Sequence, residues 1–462
     1  MGINGVKKLM CAAVMAGILL SAASCKAKRS DFPTLPEPTS DESIPLSLSE
    51  ETGETDTDEE VKTLSVALPY SPETVDYLYR LYYAKISGYW NDSLSGEDVD
   101  LDYLASLESP MTPECIYVPN EGVSSDSLAS WGDDLPDIFL TNDMKGVREK
   151  GLCLPLQDLL FDNELLDASS FYPASLRMLT FDGDVDALPY YCSVPLIYGN
   201  KDFIPASGNL DFRCSLETFR EYMDEISRSY DDVVVFTKAY QLIPYIASAF
   251  DGKDVVGSYM LKDEYLTDKT SAQGALDAAA DFVSGLYDRG LSANYTDDGT
   301  DPVYSRRCAM WIASSSDLEL WSGYYPEKLY FSQVPVSETG DEVVPYLTLF
   351  PVCVSSKTDI PEEAGDFAAF LALDEDAILL ADRLEHKIGF LPLSSSDDVW
   401  DRLKNDEKFG YIASVYENRM DEARFTFKVL DNPMYEKTEL MLFDHYSNDE
   451  PDSDMRLENI YG

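Results

Sequence analysis

From residue 61 onward, apolar and polar positions alternate in short blocks of two different periods. Val61 to Leu68 alternates apolar and small residues and predicts a strand. Ser71 then stands as an N-cap with Pro72 at the first helical position. Val75, Leu78, Leu81, Tyr82 and Ile86 follow at helical spacing, predicting a helix through Trp90. A polar connection leads to a second strand at Cys115 to Val118, a helix around Ser124 to Trp131 and an apolar strand at Leu135 to Leu140. Further on, Ser215 caps an amphipathic helix with Phe219, Tyr222, Met223 and Ile226 on one side. Strands are predicted at Val233 to Phe236, Leu329 to Pro335 and Val344 to Val354, with helices at Ile243 to Phe250, Ala272 to Tyr287 and within Val399 to Glu422. Alternating strand and helix predict an α/β architecture around largely parallel sheets. In such sheets ligands sit beyond the carboxyl ends of the strands.

The segment from Asp182 to Phe203 organises the rest. A polar turn at Asp182-Gly183-Asp184 leads into short apolar pieces, and a second turn is predicted at Gly199-Asn200-Lys201. Asp182, Asp184 and Asp186 are spaced like the start of an EF-hand loop, but that loop needs Gly at its sixth place and Glu at its twelfth. This chain has Ala187 and Ser193 there, so a hairpin turn is the better account.

Pro189 to Phe203 resembles the "Pro-Tyr... hydrophobic-Tyr-Asn-Lys-Asp-hydrophobic" segment of the family 1 extracellular solute-binding proteins of bacterial ABC importers, with an extra Gly199. Other fragments resemble that family in the same order. They are Pro136-Asp137-Ile138-Phe139, Gly151-Leu152 with Leu154-Pro155-Leu156, and Ala309-Met310 after Arg306-Arg307, where Gly-Lys is usual. Glu363-Ala364 with Phe367, Phe370 and Leu371, and Gly389-Phe390-Leu391-Pro392, complete the set, while the family's "Thr-Trp-x-Glu" signature is replaced by Ser215-Leu216-Glu217-Thr218. The resemblance covers about Leu64 to Phe425. It implies a two-lobed, periplasmic-binding-protein-like (type II) α/β fold with a hinged interlobe cleft, in which Pro189 to Phe203 crosses from the first lobe to the second.

Length and charge refine the picture. The 462 residues are ample for two or three domains and a sizeable core. A net charge of −50 would repel nucleic acid and anionic membrane surfaces, which excludes partners that need a positive patch. It is first a solubility device of an exported protein, and second a setting for a cationic ligand.

Residues 1–25 read as a lipoprotein signal peptide: Lys7-Lys8, an apolar run from Leu9 to Leu20, and Ser21-Ala22-Ala23-Ser24 before Cys25. Cys25 then becomes the acylated N-terminus, giving a lipid anchor at the outer face of the cell membrane. Residues 26–60 read as an acidic disordered tether. Residues 61–449 form the solute-binding domain. Its first lobe is expected at about 61–192 plus 336–398, and its second at about 200–335 plus the C-terminal helices. Residues 450–462 are an acidic tail. Cys115, Cys153, Cys192, Cys214, Cys308 and Cys353 show no metal-ligand spacing, and pairing or burial as thiols remain equally open. With only His386 and His445, histidine-based metal or triad chemistry has little material. No metal and no cofactor is expected.

Sugar sites combine aromatic faces with carboxylates, amides and hydroxyls. Thr141, Asn142 and Asp143 follow a strand's carboxyl end, as a solute loop or as the cap of the next helix. Tyr190, Tyr191 and Ser193 lie in the crossing, where the family pattern implies a polar contact at Ser193 and the alternative is hinge packing. Ser314, Ser315 and Ser316 stand where the resemblance implies cleft-facing positions. Trp321, Tyr324 and Tyr325 are candidates for the aromatic that the family carries there, and Tyr240 and Gln241 follow the strand at Val233.

A monomeric binding protein that captures a small solute, expected to be a sugar or oligosaccharide, and delivers it to ABC permease subunits fits these features best. A secreted glycoside hydrolase with paired carboxylates is the alternative from another class. A ligand sensor, or a binder of peptide or cationic solutes, shares the fold.

Overall fold

Leu64, Val66 and Leu68 bury one face of the first strand and Ala67 the other, so a five-residue run is covered on both sides. The structure, a computed structural model, describes residues 63–90, 99–157, 170–251, 269–335, 346–385 and 389–426. The signal, the tether, Cys25 and the acidic tail lie outside the described residues.

β1 (Leu64–Leu68) pairs in parallel with β2 (Pro113–Tyr117) and β3 (Ile138–Leu140). β3 pairs antiparallel with β12 (Tyr346–Val354), and β12 antiparallel with β6 (Leu188–Ser193). β13 (Leu391–Pro392) completes one edge, and β14 (Arg424–Thr426) pairs β12, giving a seven-stranded sheet. A second, five-stranded sheet has the order β11 (Leu329–Gln333), β7 (Pro195–Asn200), β10 (Cys308–Ser314), β8 (Val234–Thr237), β9 (Ser292–Ala293). The sheets are less uniformly parallel than the strand–helix alternation predicts. β6 and β7, on either side of the direct passage between the sheets, run antiparallel to every strand they pair with, and β12 runs antiparallel to β3 and β6 but parallel to β14. From β6 to β7 the chain passes directly from one sheet to the other, with no helical crossover to turn it parallel.

Three apolar clusters hold this arrangement, within a unit that spans Val61–Gly462. One packs Leu64, Val66 and Phe350 against Tyr79, Tyr82, Phe367 and Phe370 from the helices Pro72–Ile86 and Pro361–Leu373. Another packs Ile197, Phe236 and Met310 against Phe219, Met223 and Val283. The third runs from Phe139 and Met144 through Val194, Leu196 and Tyr198 to Trp311, Trp321, Trp400 and Phe409, so it touches both sheets. Each large side chain buried in this way contributes about 1.5–3 kcal/mol.

Local signals fare well where they are complete in themselves. Ser71 accepts from Thr74 N at 3.2 Å and Ser215 from Thr218 N at 3.0 Å, so both caps form as predicted. β4 (Thr180–Phe181) and β5 (Asp184–Val185) make the predicted hairpin, with Asp182 and Gly183 both at positive φ. Asp186 forms an ion pair with Arg148 at 2.7 Å, and the Arg148 guanidinium lies 3.8 Å over the Phe181 ring.

Three boundaries differ. The first helix ends at Ile86 rather than Trp90, ahead of Gly88 at φ +70°. The strand predicted from Leu135 starts at Ile138, because Asp137 instead accepts the Ser65 N–H and hydroxyl, each at 2.7 Å. The turn predicted at Gly199-Asn200 is absent: both residues extend β7, and a Cβ on Gly199 would stand 2.0 Å from the Tyr330 ring. Gly199 is required there by close approach and not by turn geometry.

Candidate functional site

The passage from β6 to β7 is a single residue, Val194, and its backbone is held from the other side of the crossing. Val194 N donates to Ser315 Oγ at 2.9 Å, and Ser315 N donates back to Val194 O at 2.7 Å. Ser315 Oγ donates to Gly389 O at 2.5 Å, which brings in the turn before β13. Gly389 sits at φ +99°, and a Cβ there would lie 2.0 Å from Ser315 O. Ser314 Oγ donates to Ser193 Oγ at 2.8 Å and accepts from Ser316 N and Ser316 Oγ at 3.2 and 2.7 Å. Ser193, Ser315 and Ser316 are therefore brought together where the two sheets meet. Asp317 follows directly. Burial pushes its carboxyl above the ordinary value, and a backbone hydrogen bond from Ser314 offsets this in part.

The loop after β3 sits at the carboxyl end of a parallel strand, and most of its polar groups are used locally. Thr141 Oγ1 donates to Val123 O at 2.9 Å and accepts from Asp143 N at 3.1 Å. Asp143 caps the helix Met144–Glu149, with Oδ1 accepting from Gly146 N at 3.0 Å and Oδ2 accepting from Ser125 Oγ at 2.5 Å. Asn142 Nδ2 donates to Gly122 O at 3.3 Å, while its buried Oδ1 has no partner among the described residues. Of the three, Asn142 keeps unused hydrogen-bonding capacity.

Tyr190 and Tyr191 line a pocket of about 590 Å³, part of it open to solvent. Two consecutive strand residues would normally face opposite ways. Here the register between β6 and β12 shifts, with Phe350 opposite Tyr191 and Pro351 opposite Pro189, so Tyr190 is an extra, bulged residue. Tyr190 OH bonds to Tyr70 OH, and Tyr191 OH donates to Asn120 O at 2.8 Å. Burial raises all three phenols, so they stay neutral. Phe390 packs 4.6 Å from Tyr191, and the far wall comes from helices Glu375–Glu385 and Asp397–Lys404, with Asp382 and Arg402 among its residues. No residue of β7 to β11 lines this pocket, so it is separate from the junction between the sheets.

Trp321 and Tyr324 belong to a third group on the second sheet. Trp311 stacks on Tyr198 at 5.8 Å and meets Trp321 and Tyr325, and Tyr304 and Tyr324 pack on Trp321 in turn. Arg306 covers Tyr324 at 5.3 Å and donates to Tyr324 O at 2.7 Å. Its φ of +58° explains why the resemblance has Gly at this place. Tyr240 joins none of these groups. It is buried with Phe236 and Ile243, on the face of the second sheet opposite Trp311.

Sequence reasoning missed Tyr70, Asp317, Arg306 and Phe390. Tyr70 follows the carboxyl end of β1, so the rule applied to Thr141 would have found it. Asp317 ends the serine run, and its burial was the missing signal.

Residues 127–408 match the sequence profile of the bacterial extracellular solute-binding proteins. No curated protein sequence matches the chain. Among solved structures, the sugar-binding protein MalE of Xanthomonas citri is 13% identical with a TM-score of 0.62, covering 86% of this chain and 95% of that one. An ABC substrate-binding protein of Listeria monocytogenes, solved with cycloalternan, is 14% identical with a TM-score of 0.60, covering 86% and 97%. UgpB of Mycobacterium tuberculosis, solved with glycerophosphocholine, is 16% identical with a TM-score of 0.61, covering 87% and 96%. The two sheets described above are thus the two lobes of a MalE-like fold, as the resemblance implied. With its profile matched over more than half its length, the chain belongs to the bacterial extracellular solute-binding protein family.

Proposed function

We propose that this solute-binding protein closes its two lobes on a sugar or oligosaccharide and presents it to an ABC-type permease, binding without catalysis. The observation that carries this reading is the junction. Hydroxyls of Ser193, Ser314 and Ser316 gather beside the single-residue passage at Val194, where lobe closure would bring both sheets onto a ligand. Hydroxyls both donate and accept, which suits the alcohols of a sugar. Asn142, at the end of β3, adds an amide with unused acceptor capacity. Anchoring through an acylated Cys25 would hold the domain near its permease, and Cys25→Ala should then move the protein from the detergent phase to the aqueous phase on detergent partitioning.

A second reading has a specific support. The Tyr70, Tyr190, Tyr191 and Phe390 walls with Asp382 nearby suit a quaternary ammonium headgroup, which aromatic faces attract. One structural neighbour was solved with glycerophosphocholine.

A thermal-shift screen of oligosaccharides, glycerophosphocholine and polyamines separates the readings. A solute at a hundred times its Kd adds about 2.7 kcal/mol. Stabilisation by a sugar recovered unchanged supports the first reading. A sugar recovered cleaved overturns it in favour of a hydrolase, and stabilisation by glycerophosphocholine alone moves the assignment to the second.

A further inference from the structure

Cys153 and Cys353 are 200 positions apart in sequence and adjacent in space. Cys153 forms an isolated antiparallel bridge with Ser355, two residues beyond Cys353 and just past the end of β12. Leu154 N donates to Val354 O and Ser356 N to Leu152 O, each at 2.9 Å, which fixes this register. Cys353 belongs to an apolar cluster against which Cys153 packs, and the Cys353 thiol donates to Met144 Sδ at 3.7 Å. We propose that Cys153 and Cys353 form a reversible, redox-labile disulfide, a modification site in the first lobe.

The two thiols differ in the way the chemistry requires. Cys353 is fully buried, and burial pushes its thiol up. Cys153 is half-buried, and the neighbouring Cys353 thiol, with Arg148 also contributing, holds its thiol below the ordinary value. Cys153 is thus the accessible nucleophile and Cys353 the resolving partner. The oxidant is an external disulfide, of a small thiol or an exported oxidoreductase. Cys153 thiolate attacks one of its sulfurs and expels the other as a thiolate, which takes up the proton that Cys153 gave to solvent. Cys353, losing its proton in turn, attacks Cys153 Sγ and releases the second donor sulfur as a thiol. Two protein thiols become one disulfide, and one donor disulfide becomes two thiols.

The extracellular setting of the family permits such a bond. Diagonal strand neighbours sit about 7–8 Å apart, so closing the bond must draw the backbone at Cys153 toward β12, and that strain makes the disulfide easily reduced. It would also act on the first-lobe loop. Cys353 Sγ touches Met144 Sδ at 3.7 Å, and Met144 opens the helix that Asp143 caps.

The test treats the purified, reduced protein with oxidised glutathione and maps the peptides without reduction. Support is a cross-linked pair containing Cys153 and Cys353, a free-thiol count lower by two, and reversal by dithiothreitol. In Cys353→Ser, Cys153 should instead accumulate as the glutathione mixed disulfide. Should that variant fail to fold, Cys153→Ser serves, and it should lose no thiols under the same treatment. A wild-type protein whose Cys153 stays glutathionylated beside a free Cys353, or whose Cys153 does not react at all, overturns the proposal.

Discussion

The loops that follow β3 and β10 occupy comparable places, each just past its strand at the first turn of a helix, yet they use their polar groups differently. The side chains of Thr141 and Asp143 bond within about twenty residues of themselves, to Val123, Ser125 and Gly146, and Thr141 N reaches Pro351 O within the same sheet. Ser314 and Ser315 bond across the molecule, to Ser193, Val194 and Gly389. One loop shapes a single lobe, and the other fastens the lobes together. Position at a strand's end therefore nominates a loop for function, but the destinations of its hydrogen bonds decide what the loop does.

The sharpest way to break this contrast is at Gly389. Its φ of +99° disfavours any side chain, and a Cβ would meet Ser315 O at 2.0 Å. Gly389→Ala should lose about 3 kcal/mol of stability in urea unfolding, the sum of backbone strain and a displaced crossing. Loss below about 1 kcal/mol would mean that the crossing tolerates movement and is not the fastening described above.

Ser315→Ala comes next. It removes an acceptor from Val194 N and a donor from Gly389 O, both in a buried setting. The expected cost is about 2 kcal/mol. Because Ser315 joins both lobes, solute affinity should fall with stability, and small-angle scattering should show a more open average shape in the absence of solute. Asp143→Ala, by contrast, should cost about 1 kcal/mol through the lost helix cap. It should speed hydrogen exchange in Met144–Glu149 and leave the interlobe geometry unchanged. Equal effects on lobe opening from both variants would dissolve the distinction between the loops.

The same contrast explains what could be read in advance. The caps at Ser71 and Ser215 and the hairpin at Asp182-Gly183 were legible, because each rests on a few neighbouring residues. The order of family-like fragments carried the two-lobed fold. Other features depend on partners far away in sequence. Gly199 looked like a turn residue until the Tyr330 ring supplied the reason for it. The bulge at Tyr190 depends on β12, more than 150 positions on, and no periodicity in Leu188–Ser193 announces it. Asp143 carried both of its readings in the sequence, and the structure shows its carboxylate used in the cap. Whether the loop also meets solute falls to Asn142.

The smallest effect expected is at Asp317, and it is read from pH. Burial raises this carboxyl above its unfolded value, so the folded protein holds the proton more tightly than the unfolded chain. With more protons bound in the native state, stability falls as pH rises from about 4, the unfolded value, through the folded one, and is highest below that window. The rest of the acidic surface gives a background slope of its own, since a chain of net charge −50 repels itself more as carboxylates ionise. Asp317→Asn removes one titration and leaves the background, so the difference between the two pH profiles isolates the site. The variant should match wild type near pH 4 and be slightly the more stable near pH 7. Parallel profiles would mean that Asp317 titrates as it would in water. The junction would then be wetter than its burial implies, and the contrast with the first-lobe loop would narrow to hydrogen-bond connectivity alone.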